Sequence, residues 1–296
     1  MIRGAIVFLV LATWPLIPAL TVASDLTIET PHLIVSDATG TLSNNGLKRL
    51  ADQSQAMLES LLAFWSTDPR VDRFGKIRVA FDAPRRDVYS SVFYWDKKDG
   101  RNIRTVRIFG ADATPQMMAH KLTSAVFPNK DKLIRNMMGI LTEARVGNPL
   151  TFPMCGFDTD DWVLAILQAK SYIPISELGP DHESWGMKDH GGGRLSIHDK
   201  TRQHKAYAEA GSFGIYLFNA YGINMIKQLN RLSNQKARPW QEVFGAGIQE
   251  LEANWINALR GREKTRGADV PILLKLHESN ADTACAEAQR VSGKKP

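Results

Sequence analysis

Only two cysteines, Cys155 and Cys285, occur in the 296 residues, so no dense disulfide framework or cysteine-rich metal cluster organises this chain. Neither has a histidine near it in sequence that would single it out as a nucleophile. No Gly-x-Ser-x-Gly elbow is present, which removes the commonest serine-hydrolase layout. Gly191-Gly192-Gly193 does not lead from a strand into a helix carrying a lysine, so a phosphate-cradling loop is not expected. Beyond residue 23 no stretch is apolar enough to span a bilayer. An excess of one charge is also lacking. Lys and Arg number 37 against 31 Asp and Glu, a formal net charge of +6 with the signs interspersed. Without a basic stripe interleaved with aromatics, nucleic acid is not an expected partner.

What is present begins with a signal-peptide pattern over residues 1–23. Arg3 supplies the positive segment, Ala5 to Leu20 the apolar one, and Thr21-Val22-Ala23 a small-residue cleavage site before Ser24. The apolar run is short and interrupted by Pro15 and Pro18, which favours a cleaved signal over a retained anchor. Its removal takes Arg3 away and leaves about +5. The expected location is therefore periplasmic or secreted. In that setting Cys155 and Cys285 either pair, tying the middle of the chain to its C-terminal tail, or remain two thiols; spacing does not choose between them.

Along the mature chain, residues 26–35 alternate and are β-branched, which predicts an opening strand. Residues 43–66 predict an amphipathic helix, capped by Ser43 and apolar at Leu47, Leu50, Ala51, Met57, Leu58, Leu61 and Leu62. Residues 76–81 read as a strand, and 89–95 with 102–109 as a hairpin about Asp99-Gly100. Residues 114–144 then form a helix pair joined by a turn at Phe127-Pro128-Asn129. Thr114 suits the N-cap and Pro115 the first helical position. Leu133, Ile134, Met137, Ile140, Leu141 and Ala144 fall at helical spacing in the second helix. A short helix over 161–170, a connector at 173–178 and helices over 206–221 and 240–259 follow. Residues 181–204, DHESWGMKDHGGGRLSIHDKTRQH, read as a polar, glycine-rich exposed insertion. The division expected is 24–150 as a strand and helix subdomain and 151–260 as a mostly helical one. Residues 261–296 are expected to be a partly disordered tail apart from the apolar run Val270 to Leu276.

The helix pair carries the chemistry-bearing pattern. His120 and Ser124 are four apart and share one helix face, and Glu143 lies nineteen residues beyond Ser124 near the end of the second helix. This layout resembles the peptidase MA-like (gluzincin) metallopeptidases. In that family one helix carries His-Glu-x-x-His and the next a glutamate; both histidines and that glutamate hold zinc, and the motif's own glutamate is the general base. Here the motif reads His120-Lys121-Leu122-Thr123-Ser124, and the distant glutamate is matched by Glu143 in Thr142-Glu143-Ala144-Arg145. Ile173 to Leu178 resembles the family's connector away from the metal helices. AYAEAGSFGIYLFNAYG from Ala206 and WQEVFGAGIQELEANWINAL from Trp240 resemble its later helices. The resemblance covers most of residues 26–260, in order, and implies an α+β fold: a mixed sheet with the metal-site helix pair, then a helical subdomain.

The same resemblance withholds the usual mechanism. Lys121 stands at the general-base position and Ser124 at that of the second histidine, a hydroxyl that is a poor zinc ligand. His120 and Glu143 are the residual metal-type residues. Lys121 either pairs with Glu143 near the vacated metal position or extends to solvent. Tyr207 is matched to a family tyrosine at the cleft, or is a packed helical aromatic. The function expected is that of a catalytically inactive binding protein for a peptide or envelope protein, without a cofactor. The competing expectation is an active zinc hydrolase completed by a ligand from residues 182–204, where His182, His190, His198 and His204 stand among Asp181, Glu183, Asp189 and Asp199. A third class, a structural envelope subunit, would expose a large apolar patch.

Overall fold

The computed structural model describes residues 26–83, 91–98, 100–109, 115–191, 194–266, 269–279 and 281–293. The signal-like segment, Thr114 and Asp99 of the expected hairpin turn lie outside these residues. No described helix is long and apolar enough to cross a membrane.

The chain opens with β1 (Thr27–Glu29) and β2 (Leu33–Asp37), an antiparallel pair where one strand was expected. Pro31, which cannot donate to a ladder, sits in the break between them. Then come α1 (Asn44–Trp65), the single turn α2 (Val71–Phe74), β3 (Ile77–Asp82), β4 (Ser91–Lys98) and β5 (Arg101–Phe109). The helix pair is α3 (Pro115–Val126) and α4 (Lys132–Val146), followed by α5 (Thr159–Gln168). A small hairpin, β6 (Met187–Asp189) with β7 (Leu195–Ile197), precedes α6 (Lys200–Tyr221), α7 (Ile223–Ser233), α8 (Trp240–Phe244), α9 (Ile248–Arg266), α10 (Val270–Ser279) and α11 (Ala281–Val291).

The fold is α+β. Five strands form one mixed sheet in the order β1-β2-β3-β5-β4, with β2, β3 and β5 parallel and β4 antiparallel at the edge. Alternation decides its faces: Leu33, Val35, Ile77, Val79, Val106 and Ile108 are fully buried, while Ile34, Arg78, Ala80 and Arg107 lie on the more open side. α1 covers the inner face. Ser43 caps it by accepting from the Gly46 amide, and Leu47, Ala51, Leu58, Leu61 and Trp65 are fully buried. The Trp65 indole donates to Thr142 Oγ1 at 2.8 Å, tying the end of α1 to α4.

α4 lies at the centre. From Lys132 to Glu143 every residue except Arg135 is buried. Asp131 caps it, accepting from the Leu133 amide at 2.9 Å and from Arg238 Nε at 2.8 Å. α3 packs on one side and α6 crosses on another, approaching closely because Gly211 and Gly214 present no side chain to Ile140 and Met137. Asn129, in the turn between α3 and α4, donates to Asn230 Oδ1 at 2.8 Å and Ser233 Oγ at 2.6 Å, clamping the turn onto α7.

The described part of the C-terminal region continues α9 and adds α10 and α11, with Val270, Leu273, Ala284 and Ala288 buried. Cys155 and Cys285 form a disulfide across a separation of 130 residues, holding α11 to the segment after α4. The insertion is not wholly exposed, because Trp185 and Met187 are fully buried and anchor the β6–β7 hairpin. The helix expected over 240–259 breaks at Gly245, whose φ of +73° ends α8 before α9 begins.

A methyl group at Gly211 would lie 2.5 Å from Ile140 Cγ2. Gly211→Ala is therefore expected to destabilise the protein by about 1–3 kcal/mol, measured by urea unfolding, although alanine is the better helix former.

Candidate functional site

The site is built on α3, α4 and α6. α4 presents Lys132, Asn136, Gly139 and Glu143 at spacings of four, three and four, which places them on one stripe of an otherwise apolar helix. α3 brings His120, Lys121 and Ser124 against that stripe. Gly139 makes the approach possible, since a Cβ there would collide with the His120 ring. α6 adds Tyr207, whose ring centroid lies 6.0 Å from that of His120.

His120 and Glu143 do come together: His120 Nδ1 lies 3.5 Å from Glu143 Oε2, with both side chains almost wholly buried. His120 Nε2 is 3.0 Å from Asn136 Oδ1. With the amide oxygen accepting, the proton belongs on Nε2 and the Nδ1 lone pair faces the carboxyl. Burial holds the His120 pKa well below its ordinary value of 6.5, and Lys121 pushes it the same way. Burial likewise raises the Glu143 carboxyl well above 4.5, against the pull of Lys121. Burial thus disfavours charge on both groups.

Lys121 is only partly buried by its surface but sits in a poorly solvated position, which brings its ammonium down to about 8. Arg135 repels it further and Glu143 opposes both effects. Lys121 and Glu143 act on one another electrostatically, each offsetting part of the effect of the other's burial. Ser124 does not turn toward Glu143; its hydroxyl donates to the His120 carbonyl at 3.2 Å within its own helix.

Lys132 is the group that the sequence pattern did not bring forward. It is fully enclosed, donates to Tyr207 Oη at 3.2 Å, and lies 4.8 Å and 5.0 Å above the Trp185 and Tyr207 rings. Burial lowers its pKa well below 10.5, with Arg135 and Lys121 adding to the effect. The four-three-four polar stripe on α4 was the available signal for Lys132 and Asn136. Tyr207 is a buried helical aromatic, beside His120 and packed among Phe152, Trp185 and Lys132.

Each of the insertion's histidines has a partner other than His120 and Glu143. His182 Nδ1 faces Asp189 Oδ2 at 3.8 Å, His190 Nε2 meets Ser196 Oγ at 2.8 Å, and His198 Nε2 meets Glu183 at 3.3 Å. His204 is buried edge-on to Trp162 at 4.5 Å between ring centroids, and its Nε2–H donates to the Pro153 carbonyl at 3.3 Å. Among the described residues no three His, Cys, Asp or Glu side chains converge. The donor set around His120 and Glu143 thus holds two ligands, a hydroxyl turned into its own helix and a lysine, which does not fit a catalytic zinc.

Beside this cluster opens a cleft of about 970 Å³. Its walls are β4 from Val92 to Trp95, the turn from Val126 to Lys130, the segment from Thr67 to Phe74, and α7. His182, Asp189 and Leu195 of the insertion close one end, and Arg135 links the lining to the buried cluster. Comparison with protein-family models, characterised proteins and solved structures returns no match for the chain.

The His204 ring is held neutral by burial, with its pKa brought down from 6.5 to about 4. Its share of stability is complete above the unfolded value and is lost as pH falls from 6.5 through 4, because the unfolded chain takes up the proton first. Relative to wild type, His204→Phe is expected to gain as pH is lowered across that window, by at most about 1.4 kcal/mol per unit in denaturant unfolding at pH 7 and pH 5.

Proposed function

We propose that this chain is an exported protein on a peptidase MA-like (gluzincin) scaffold whose zinc chemistry has been replaced. On this reading it acts by holding a peptide or a protein of the cell envelope in the cleft beside β4. The observation that carries the proposal is the pairing of an open cleft with a sealed former catalytic position. Among the described residues β4 ends the sheet, and an added strand could pair with the main-chain groups of its outer edge. Phe93 and Trp95 offer apolar contacts along it, Trp95 at 40% exposure. Behind that opening His120, Glu143 and Asn136 are buried together, burial disfavours charge on His120 and Glu143, and Lys121 stands at the motif's base position.

Lys121 is unsuited to the missing glutamate's work. A general base must accept a proton from water, and a lysine whose pKa is about 8 is mostly protonated at neutral pH. An active hydrolase completed from residues 182–204 has less support, since each histidine of that segment has a partner other than His120 or Glu143. The disulfide between Cys155 and Cys285 supports export to an oxidising compartment such as the periplasm or the exterior. The large exposed apolar residues, Leu26, Trp95, Ile272 and Val291, do not gather on one element, which favours a cleft binder over a structural subunit.

Elemental analysis of the mature protein, purified without chelator and dialysed against trace zinc, is expected to find far less than one zinc per chain, with thermal unfolding unmoved by EDTA. About one zinc per chain that disappears in His120→Ala would sink the proposal. Peptides selected from a displayed random library on the immobilised protein are expected to bind without being cleaved and to weaken at least about fivefold in Trp95→Ser, read by fluorescence anisotropy.

A further inference from the structure

The cleft lining is electrostatically one-sided. Arg70, Arg73, Lys130, Arg135, Lys227 and Arg231 face a single carboxylate, Asp189. This contrasts with the whole chain, where the two signs nearly balance. Arg70, Arg73, Lys130 and Arg231 are exposed, and none of the ion pairs among the described residues involves them or Lys227. Lys227 already donates to the Trp65 and Ser66 carbonyls at 3.0 and 3.1 Å, which fixes its ammonium at the cleft wall. Arg73 lies 4.9 Å over the Phe74 ring, a contact that uses its face and leaves its N–H edge for an acceptor. The exposed charges of Arg70, Arg73, Lys130 and Arg231, like in sign and gathered on one concave wall, repel one another and are relieved by an anion.

We infer that the partner held in this cleft is an acidic peptide. It would lie extended along β4, with carboxylates directed to the arginines and lysines of the 67–74 segment, the α3–α4 turn and α7. This rests on the peptide-binding reading given above and adds the chemical class of the ligand. Three features favour a peptide over other anions. The cleft is bounded by an edge strand, which offers alternating donors and acceptors that only a polypeptide backbone matches along its length. The Phe74 ring is covered by Arg73 and by Arg104 at 5.3 Å, which removes one platform on which a base could stack. The cations line a recess, whereas a flat lipid surface engages cations on a convex face.

The test compares a fluorescent peptide of about ten residues, long enough to pair with β4, in which glutamate alternates with serine and valine, and the same peptide with glutamine for glutamate. The glutamate form is expected to bind the mature protein about tenfold more tightly at low salt, with the gap closing as salt is raised. The double variant Arg73→Gln/Arg231→Gln changes two exposed side chains. It is expected to erase most of that gap while leaving the glutamine peptide's affinity within about twofold. Arg290→Gln, on α11 and outside the cleft lining, should change neither. Equal affinity for both peptides would overturn the acidic preference and leave peptide binding standing. A preference that survives the double variant would also overturn it. If neither peptide binds, the peptide-binding reading fails and the inference with it. Binding of phosphatidylglycerol vesicles instead, lost in the double variant, would likewise overturn both.

Discussion

Burial of α4 on nearly every side is the constraint to which the neighbouring elements answer. A helix in that position is ordinarily apolar all round. This one buries Lys132, Asn136 and Glu143 along a single stripe, and each polar group taken from water needs a partner or must give up its charge. The surroundings supply both remedies. Trp185 and Tyr207 enclose Lys132, His120 meets Asn136, and Lys121 acts on Glu143. Burial then pushes His120 and Lys132 toward their neutral forms and Glu143 toward its protonated one. Three glycines make this arrangement possible. Gly139 admits the histidine ring, while Gly211 and Gly214 admit the body of α4 itself.

The cluster is costly as well as ordered. Glu143 Oε2 and Asn136 Nδ2 find no hydrogen-bond partner among the described atoms, although both are buried. Replacing such a cluster with apolar side chains of similar volume would often stabilise a protein. Its retention fits the proposed history, in which a metal-type pair was kept while the charge of the metal gave way to that of a lysine. On that proposal the polar stripe now serves to set α3 and α6 against α4, and through them the floor of the cleft.

The insertion and the C-terminal region take part in shaping that cleft. Trp185 and Met187 bury themselves beneath the β6–β7 hairpin, which leaves His182, Asp189 and Leu195 at the cleft end. α7 supplies the opposite wall and is fastened to the α3–α4 turn through Asn129. The disulfide and the α10–α11 pair brace the segment after α4 from outside. Cleft shape thus depends on segments far apart in the chain, while its charge depends on side chains scattered from Arg70 to Arg231.

Local order was legible because local rules govern it. Ser43 caps α1, and the alternation of Ile77, Val79 and Phe81 makes β3. The apolar spacing after Asp131 makes α4; each is a short-range pattern of 3.6 or 2 residues. His120 and Glu143, singled out in the sequence through a resemblance, lie 3.5 Å apart. The helices α10 and α11 were not legible there because they rest on tertiary packing and on the disulfide, neither of which leaves a strong local signal. Lys132 was missed because nothing in its sequence neighbours announces Trp185 and Tyr207, which arrive from 53 and 75 residues away. The sequence alone determined the periodicities, the caps, the export pattern and the residues at the motif positions. Only the tertiary structure decided which charges lose their water, which cysteines meet and which scattered arginines share a wall. Desolvation and proximity depend on contacts between distant parts of the chain.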